Sequence, residues 1–201
     1  IGIYVATIVL NLNSPDAPSN TQEKIGDPSL WFDAGTENYL SFTPSTDGTS
    51  TDVFTVSFWC KRGTLGTEQY MLDIIETTIN FGVSDYLSGN LRGTSHTSGN
   101  FFWKSKAVFR DTSAWYHIVA AYDSTQSKDT NRFKLYVNGV KQKFSSISYM
   151  PQNMEMKDTQ THYMGLQVSI KSFSSHFDGY FDDYYMIDGQ QLTPSSFGET
   201  G

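Results

Sequence analysis

Leu135-Tyr136-Val137-Asn138-Gly139-Val140-Lys141-Gln142 is the stretch that decides the fold. Asn-Gly between alternating residues favours a two-residue type I′ turn, because both turn positions need positive φ and these two residues adopt it at least cost. The alternation sets Phe133 and Leu135 on one side and Tyr136 on the other. A β-hairpin is therefore expected here. Upstream, residues 115–123 place Trp115, His117, Val119 and Ala121 on one face and Tyr116, Ile118, Ala120 and Tyr122 on the other. Further upstream, Phe54, Val56, Phe58 and Cys60 alternate with Thr55, Ser57, Trp59 and Lys61. Period two, not a helical period, governs the chain.

The same alternation predicts strands at 29–32, 39–43, 69–74, 77–84, 101–109, 132–137, 140–144, 162–168 and 177–187. Turn chemistry separates them: Gly63, Gly66, Gly89-Asn90, Gly99-Asn100 and the Ser/Thr-rich stretch 45–51. About a dozen short strands at such spacing predict an antiparallel β-sandwich. Thr193-Pro194 reads as an N-cap followed by proline at the first helical position, hence one short helical turn. Residues 1–28, with Pro15, Pro18 and Pro28, read as an N-terminal arm, and 29–201 as one domain. Residues 1–10 are β-branched and nearly uncharged, so they must pair with their own sandwich or with another chain. An assembly contact is the expectation. Opening on Ile1 rather than Met, the chain reads as a processed product or part of something longer.

Composition removes several function classes. The 201 residues carry 14 Lys+Arg against 21 Asp+Glu, a formal net charge of −7, which disfavours nucleic acid as a partner. No stretch approaches the roughly 20 apolar residues of a membrane span. Cys60 is the single cysteine, so no internal disulfide or cysteine-rich zinc cluster can form, and it reads as a small buried hydrophobe. A nucleophile elbow, a phosphate loop, a dinucleotide fingerprint, a zincin motif and an EF-hand loop are all missing. So is the Glu-x-Asp-x-x-Glu run that would aim paired acids into a sandwich cleft. His117 lies in so apolar a strand that it reads as hydrogen-bonded into the packing. The chain is expected not to be an enzyme; a hydrolase with dispersed carboxylates is the competing reading.

Three blocks occur in order: Phe54 to Gly63 (FTVSFWCKRG); Trp115 to Asp123 followed by Arg132 to Val140 (RFKLYVNGV); and Gly179 to Asp188 (GYFDDYYMID) followed by Leu192 to Phe197. Together they resemble the concanavalin A-like (laminin-G-like) jelly-roll superfamily over about residues 29–200. FWCKRGTLG, HYMG and FDGYFDDYYMIDGQQLTPSSFGET further resemble the laminin-G-like domains of virion structural proteins in marine tailed phages. The resemblance implies an all-β antiparallel sandwich. It also implies a non-catalytic virion surface role as a capsid fibre, head-decoration or tail-fibre subunit. The implied partners are other capsid or tail proteins, further copies of the chain and host-surface polysaccharide, with neither nucleic acid nor membrane. The alternative is a carbohydrate-binding lectin module of a secreted bacterial protein.

Sugar binding needs flat aromatic surface with Asn, Asp or Gln beside it. Trp59 and Tyr136 face away from the core set by parity, and with Trp103 and Tyr70 they form the candidate glycan platform. The competing reading is that loops or a neighbouring subunit cover that face, so that the rings are core. Calcium is the usual ion of the superfamily, and Asp182-Asp183 match its Asp-Asp position, which makes either a candidate ligand. Their alternative role is to stabilise a strand bulge through backbone N–H bonds. Asp123 and Asp129 flank a loop and are further carboxylates of this kind.

Overall fold

Alternating side chains with one apolar face can leave water only by pairing two sheets, and the chain does so. The computed structural model describes residues 9–11, 29–36, 38–43, 50–74, 77–92, 100–155, 161–169 and 172–197. The first strands are β1 (Val9–Asn11), β2 (Leu30–Phe32), β3 (Tyr39–Phe42), β4 (Val53–Arg62), β5 (Gln69–Asp73), β6 (Thr78–Phe81), β7 (Tyr86–Arg92) and β8 (Asn100–Val108). They continue as β9 (Tyr116–Asp123), β10 (Phe133–Val137), β11 (Val140–Lys141), β12 (Phe144–Ile147), β13 (His162–Met164), β14 (Gln167–Ser169), β15 (Ser172–Ser174) and β16 (Gly179–Asp188). One sheet has the order β1-β3-β13-β5-β6-β7-β8-β12 and the other β11-β10-β9-β4-β16-β2, with β14-β15 a separate hairpin. All pairings among the described residues are antiparallel.

The turn expected at Asn138-Gly139 forms between β10 and β11, with φ of 48° and 75° and Val137 opposite Val140. The core lies between the sheets. Phe54, Val56, Phe58 and Cys60 of β4 point into it, with Ile118, Ala120 and Tyr122 of β9 and Phe133, Leu135 and Val137 of β10. Facing them are Ile79, Phe81, Leu87, Leu91, Phe101 and Trp103 of the larger sheet. Phe54 stacks on its cross-strand neighbour Tyr122 at 4.4 Å within one sheet, while between the layers Phe101 meets Phe133 at 5.1 Å and Trp103 stacks on Phe133 at 5.2 Å. Cys60 is buried, and burial pushes its thiol pKa far up, as suits a packing residue.

Several boundaries differ from the sequence reading. Gly89-Asn90 is not a turn but the middle of β7, where Gly89 lies opposite Trp103. The strand expected over 140–144 divides into β11 and β12, and that over 162–168 breaks at Gly165, whose φ is +90°. Of the arm, Val9–Asn11 runs along β3 as an edge strand, with Leu10 opposite Leu40. The rest of residues 1–28 lies outside the described residues, and so does most of the 45–51 stretch. The helical turn forms at Pro194–Ser196, though Thr193 makes no side-chain cap and its Oγ1 lies 2.9 Å from Ser195 Oγ. Among the described residues no helix is long and apolar enough to cross a membrane.

Candidate functional site

Register decides which side chains share the outer face of the six-stranded sheet. Trp31 of β2 is opposite Tyr180 of β16, which is opposite Lys61 of β4. Cys60 pairs with Tyr116, so Trp115 stands level with Lys61 on the far side. Cross-strand neighbours therefore line up as Trp31, Tyr180, Lys61 and Trp115. Trp115 and Tyr180 approach to 6.3 Å between ring centroids, flanking Lys61. Trp31 is 55% exposed and Tyr180 37%, while Trp115 and Lys61 are half-buried. Below this row, Asp182, Trp59 and His117 form a second. The Trp59 indole lies flat on the His117 imidazole, 4.7 Å between centroids and 12° between planes.

The lower half of the same face is closed by the chain that follows β16. Thr55 Oγ1 donates to the Gln190 carbonyl at 2.7 Å and accepts from the Leu192 N–H at 2.9 Å. Lys134 Nζ donates to Gln191 Oε1, and Gln191 Nε2 to the Asn131 carbonyl. Phe197 then reaches His117 at 6.3 Å and Tyr185 at 5.9 Å. This strap leaves Thr55, Ser57 and His117 buried. Ser57 Oγ and His117 Nε2 are 2.9 Å apart, and His117 N–H donates to Asn138 Oδ1. Burial lowers the His117 pKa below its ordinary value, and Asp183 opposes that shift. The sequence reading of His117 as a packed, hydrogen-bonded residue agrees with this geometry.

The four candidate platform residues do not come together. Trp59 and Tyr136 share the outer face of the six-stranded sheet, Tyr136 lying opposite Val119. Trp103 is a correction: it is 1% exposed, wedged between Phe133 and Phe144, because its strand parity points it inward. Tyr70 sits on the outer face of the other sheet, opposite Asn80. Burial, reinforced by Glu68 and Asp73, pushes its phenol up to about 12. Nearby, Asn80 Nδ2 donates to Glu68 and Ser88 Oγ donates to Asn80 Oδ1. Trp31, Tyr180 and Trp115 were missed as platform residues. The signal existed in parity: Trp31 alternates with Leu30 and Phe32, Tyr180 precedes the inward Phe181, and Trp115 shares the parity of His117.

At Asp182-Asp183 the β16–β4 register shifts, Asp183 takes φ +46°, and its N–H donates to Asp182 Oδ1 at 2.8 Å. This is the bulge geometry that the sequence offered as the alternative to metal ligation. Calcium takes six to eight oxygens. Among the described residues no group of three or more His, Cys, Asp or Glu side chains converges. Asp123 accepts instead from Thr125 and Gln126, and Asp129 from Thr130.

Among solved structures, the chain resembles the binding domain of botulinum neurotoxin serotype D, with TM-score 0.57, 13% identity and coverage of 94% of this chain and 45% of that one. Botulinum neurotoxin type C, described as entering cells through interaction with two ganglioside molecules, gives TM-score 0.59 and 14% identity over 96% and 45%. The chain thus spans less than half the length of these toxin chains. Domain 4 of AbnA, an extracellular arabinanase from Geobacillus stearothermophilus in complex with arabinotriose, gives TM-score 0.50 and 18% identity over 96% and 85%. At such identities the likeness is one of fold, an all-β sandwich of jelly-roll type. A search of curated protein sequences found no match. The laminin-G-type sequence model of the Concanavalin A-like lectin/glucanases superfamily matches residues 34–195, and the chain belongs to that superfamily.

Proposed function

We propose that this chain is a non-catalytic surface module that contacts glycans, carried on a tailed-phage virion as a capsid fibre, head-decoration or tail-fibre subunit. The observation that carries the glycan reading is the outer-face row of exposed Trp31 and Tyr180 and half-buried Trp115, beside Trp59. Flat rings interleaved with Lys61 and Asp182 supply both C–H contacts and hydroxyl partners. The virion placement is supported by the resemblance of FWCKRGTLG, HYMG and FDGYFDDYYMIDGQQLTPSSFGET to laminin-G-like domains of phage virion proteins. The non-catalytic reading is supported by the burial of Ser57 and His117 beneath Trp59 and the strap. Weak single-site contacts would be multiplied by many copies on one particle.

The likeness to an arabinotriose-bound domain of a secreted enzyme favours a second reading, a carbohydrate-binding module of a secreted bacterial protein. One experiment addresses both. The domain is displayed multivalently on a glycan array, and purified particles are probed for the chain. Array signal that falls in Trp59→Ala, with the chain present in particles, supports the virion adhesin. Signal without particle incorporation supports the secreted module, and silence on the array sinks the glycan reading.

A further inference from the structure

We infer that the ring row of the six-stranded sheet takes a neutral, linear glycan and rejects polyanionic ones. The inference rests on the glycan reading above and adds the chemical class of the ligand. Four neighbouring strand positions, from Trp31 to Trp115, span three strand spacings, roughly 14 Å. That is an extended track that accommodates more than one sugar ring, not a socket for a single residue. Trp31 and Tyr180 stand on paired strands of one sheet and Trp115 immediately precedes a third, so the rings are placed by the sheet before the ligand arrives and little ordering is lost on binding.

Charge selects among linear glycans. Lys61 is the one cation in the row, and its charge is already felt by the Asp111 carboxylate. Among the described residues, four carboxylates stand around the row. Asp182 is opposite Trp59, and Asp183 follows it in the bulge. Asp178 lies against Gly63 and two residues from Tyr180, while Asp111 is four residues from Trp115. Among the described residues, one cation in the row against four surrounding carboxylates gives a negative local field, within a chain whose net charge is −7. A sulfated or uronate chain laid along the rings would meet that field within a Debye length of about 8–10 Å. A neutral chain meets no such repulsion, and carboxylates are strong acceptors for its hydroxyls.

The test is affinity electrophoresis of the intact chain through gels containing single polysaccharides. A neutral β-glucan and a neutral mannan are compared with alginate and a sulfated fucan, at 0.05 and 0.15 M salt. The expected result is retardation by a neutral polymer, insensitive to salt, and none by either polyanion. Trp31→Ala, an exposed substitution that leaves the core intact, should weaken that retardation roughly three- to tenfold. Retardation by the polyanions alone, lost in Trp31→Ala and relieved by salt, would overturn the neutral assignment while leaving the glycan reading standing. Neutral binding unchanged by Trp31→Ala would overturn the row as the site. Retardation by none of the four would remove both.

Discussion

Gly89 lies flat against the Trp103 indole: a Cβ built on Gly89 would come within 2.7 Å of Trp103 and 2.2 Å of the Thr78 carbonyl oxygen. The glycine is there because the largest core side chain crosses β7 at that point. Gly89→Ala is expected to cost about 3 kcal/mol, since neither a packed indole nor a ladder carbonyl can withdraw. Gly66→Ala meets nothing within 4 Å and suffers only its φ of +74°, so about 1–2 kcal/mol is expected there. Urea midpoints of the two variants check the ranking, and equal losses would refute the packing argument.

That contact also explains what the sequence hid. Asn138-Gly139 was readable because a two-residue hairpin is local: turn chemistry and flanking alternation coincide within eight residues. Gly89-Asn90 carries similar turn composition, but the cause of its glycine is Trp103, fourteen residues away. Parity correctly turned Trp59 and Tyr136 outward. It could not bring Trp31, Tyr180 and Lys61 into one row, because β2 pairs with β16 and β16 with β4 across more than a hundred residues. Such pairings are chosen by packing between layers, not by local propensity. Asp182-Asp183 offered a bulge or a metal site in sequence, and the positive φ of Asp183 corresponds to the bulge.

Arg62 has no side-chain exposure, yet its guanidinium donates to Asp85 at 3.0 Å and to the Phe109 carbonyl at 2.7 Å, over the Phe81 ring. Arg110 binds the other Asp85 oxygen at 3.0 Å but is 60% exposed. Asp85→Asn strands a buried cation, so a loss of about 3–5 kcal/mol is expected. Arg110→Ala should cost no more than about 1 kcal/mol. Denaturant titration of both variants decides, and comparable losses would mean that the buried pair is not what anchors the β6–β7 turn to β4.

Thr55 uses one hydroxyl to donate to Gln190 and accept from Leu192, which pins the strap to β4. Thr55→Val keeps the shape and leaves both backbone groups without that partner, at an expected cost of about 1–3 kcal/mol. Local release should show as faster amide exchange at Leu192 and greater exposure of His117 to chemical modification. A destabilised variant with unchanged exchange at Leu192 would locate the effect elsewhere.

Acid should weaken the fold in two stages. Burial lowers the His117 pKa beneath its ordinary 6.5, so the unfolded chain takes up the proton first. The stability from neutral His117 is therefore complete above pH 6.5 and drains as pH falls through the lower folded value, at most about 1.4 kcal/mol per pH unit. The second stage lies at and below the usual carboxylate range. Burial pushes Asp85 up, but the Gly66 N–H, Arg110 and Arg62 outweigh it, and its pKa falls below 3.8. Asp123 behaves likewise, with Gln126 and Thr125 outweighing burial. Both contribute above that value and lose their contribution as pH drops through the folded ones. His117→Gln removes this imidazole's titration, so its stability should fall less from pH 7.5 to 5 than the parent's. If the variant and the parent decline in parallel over that interval, His117 is not the group that titrates.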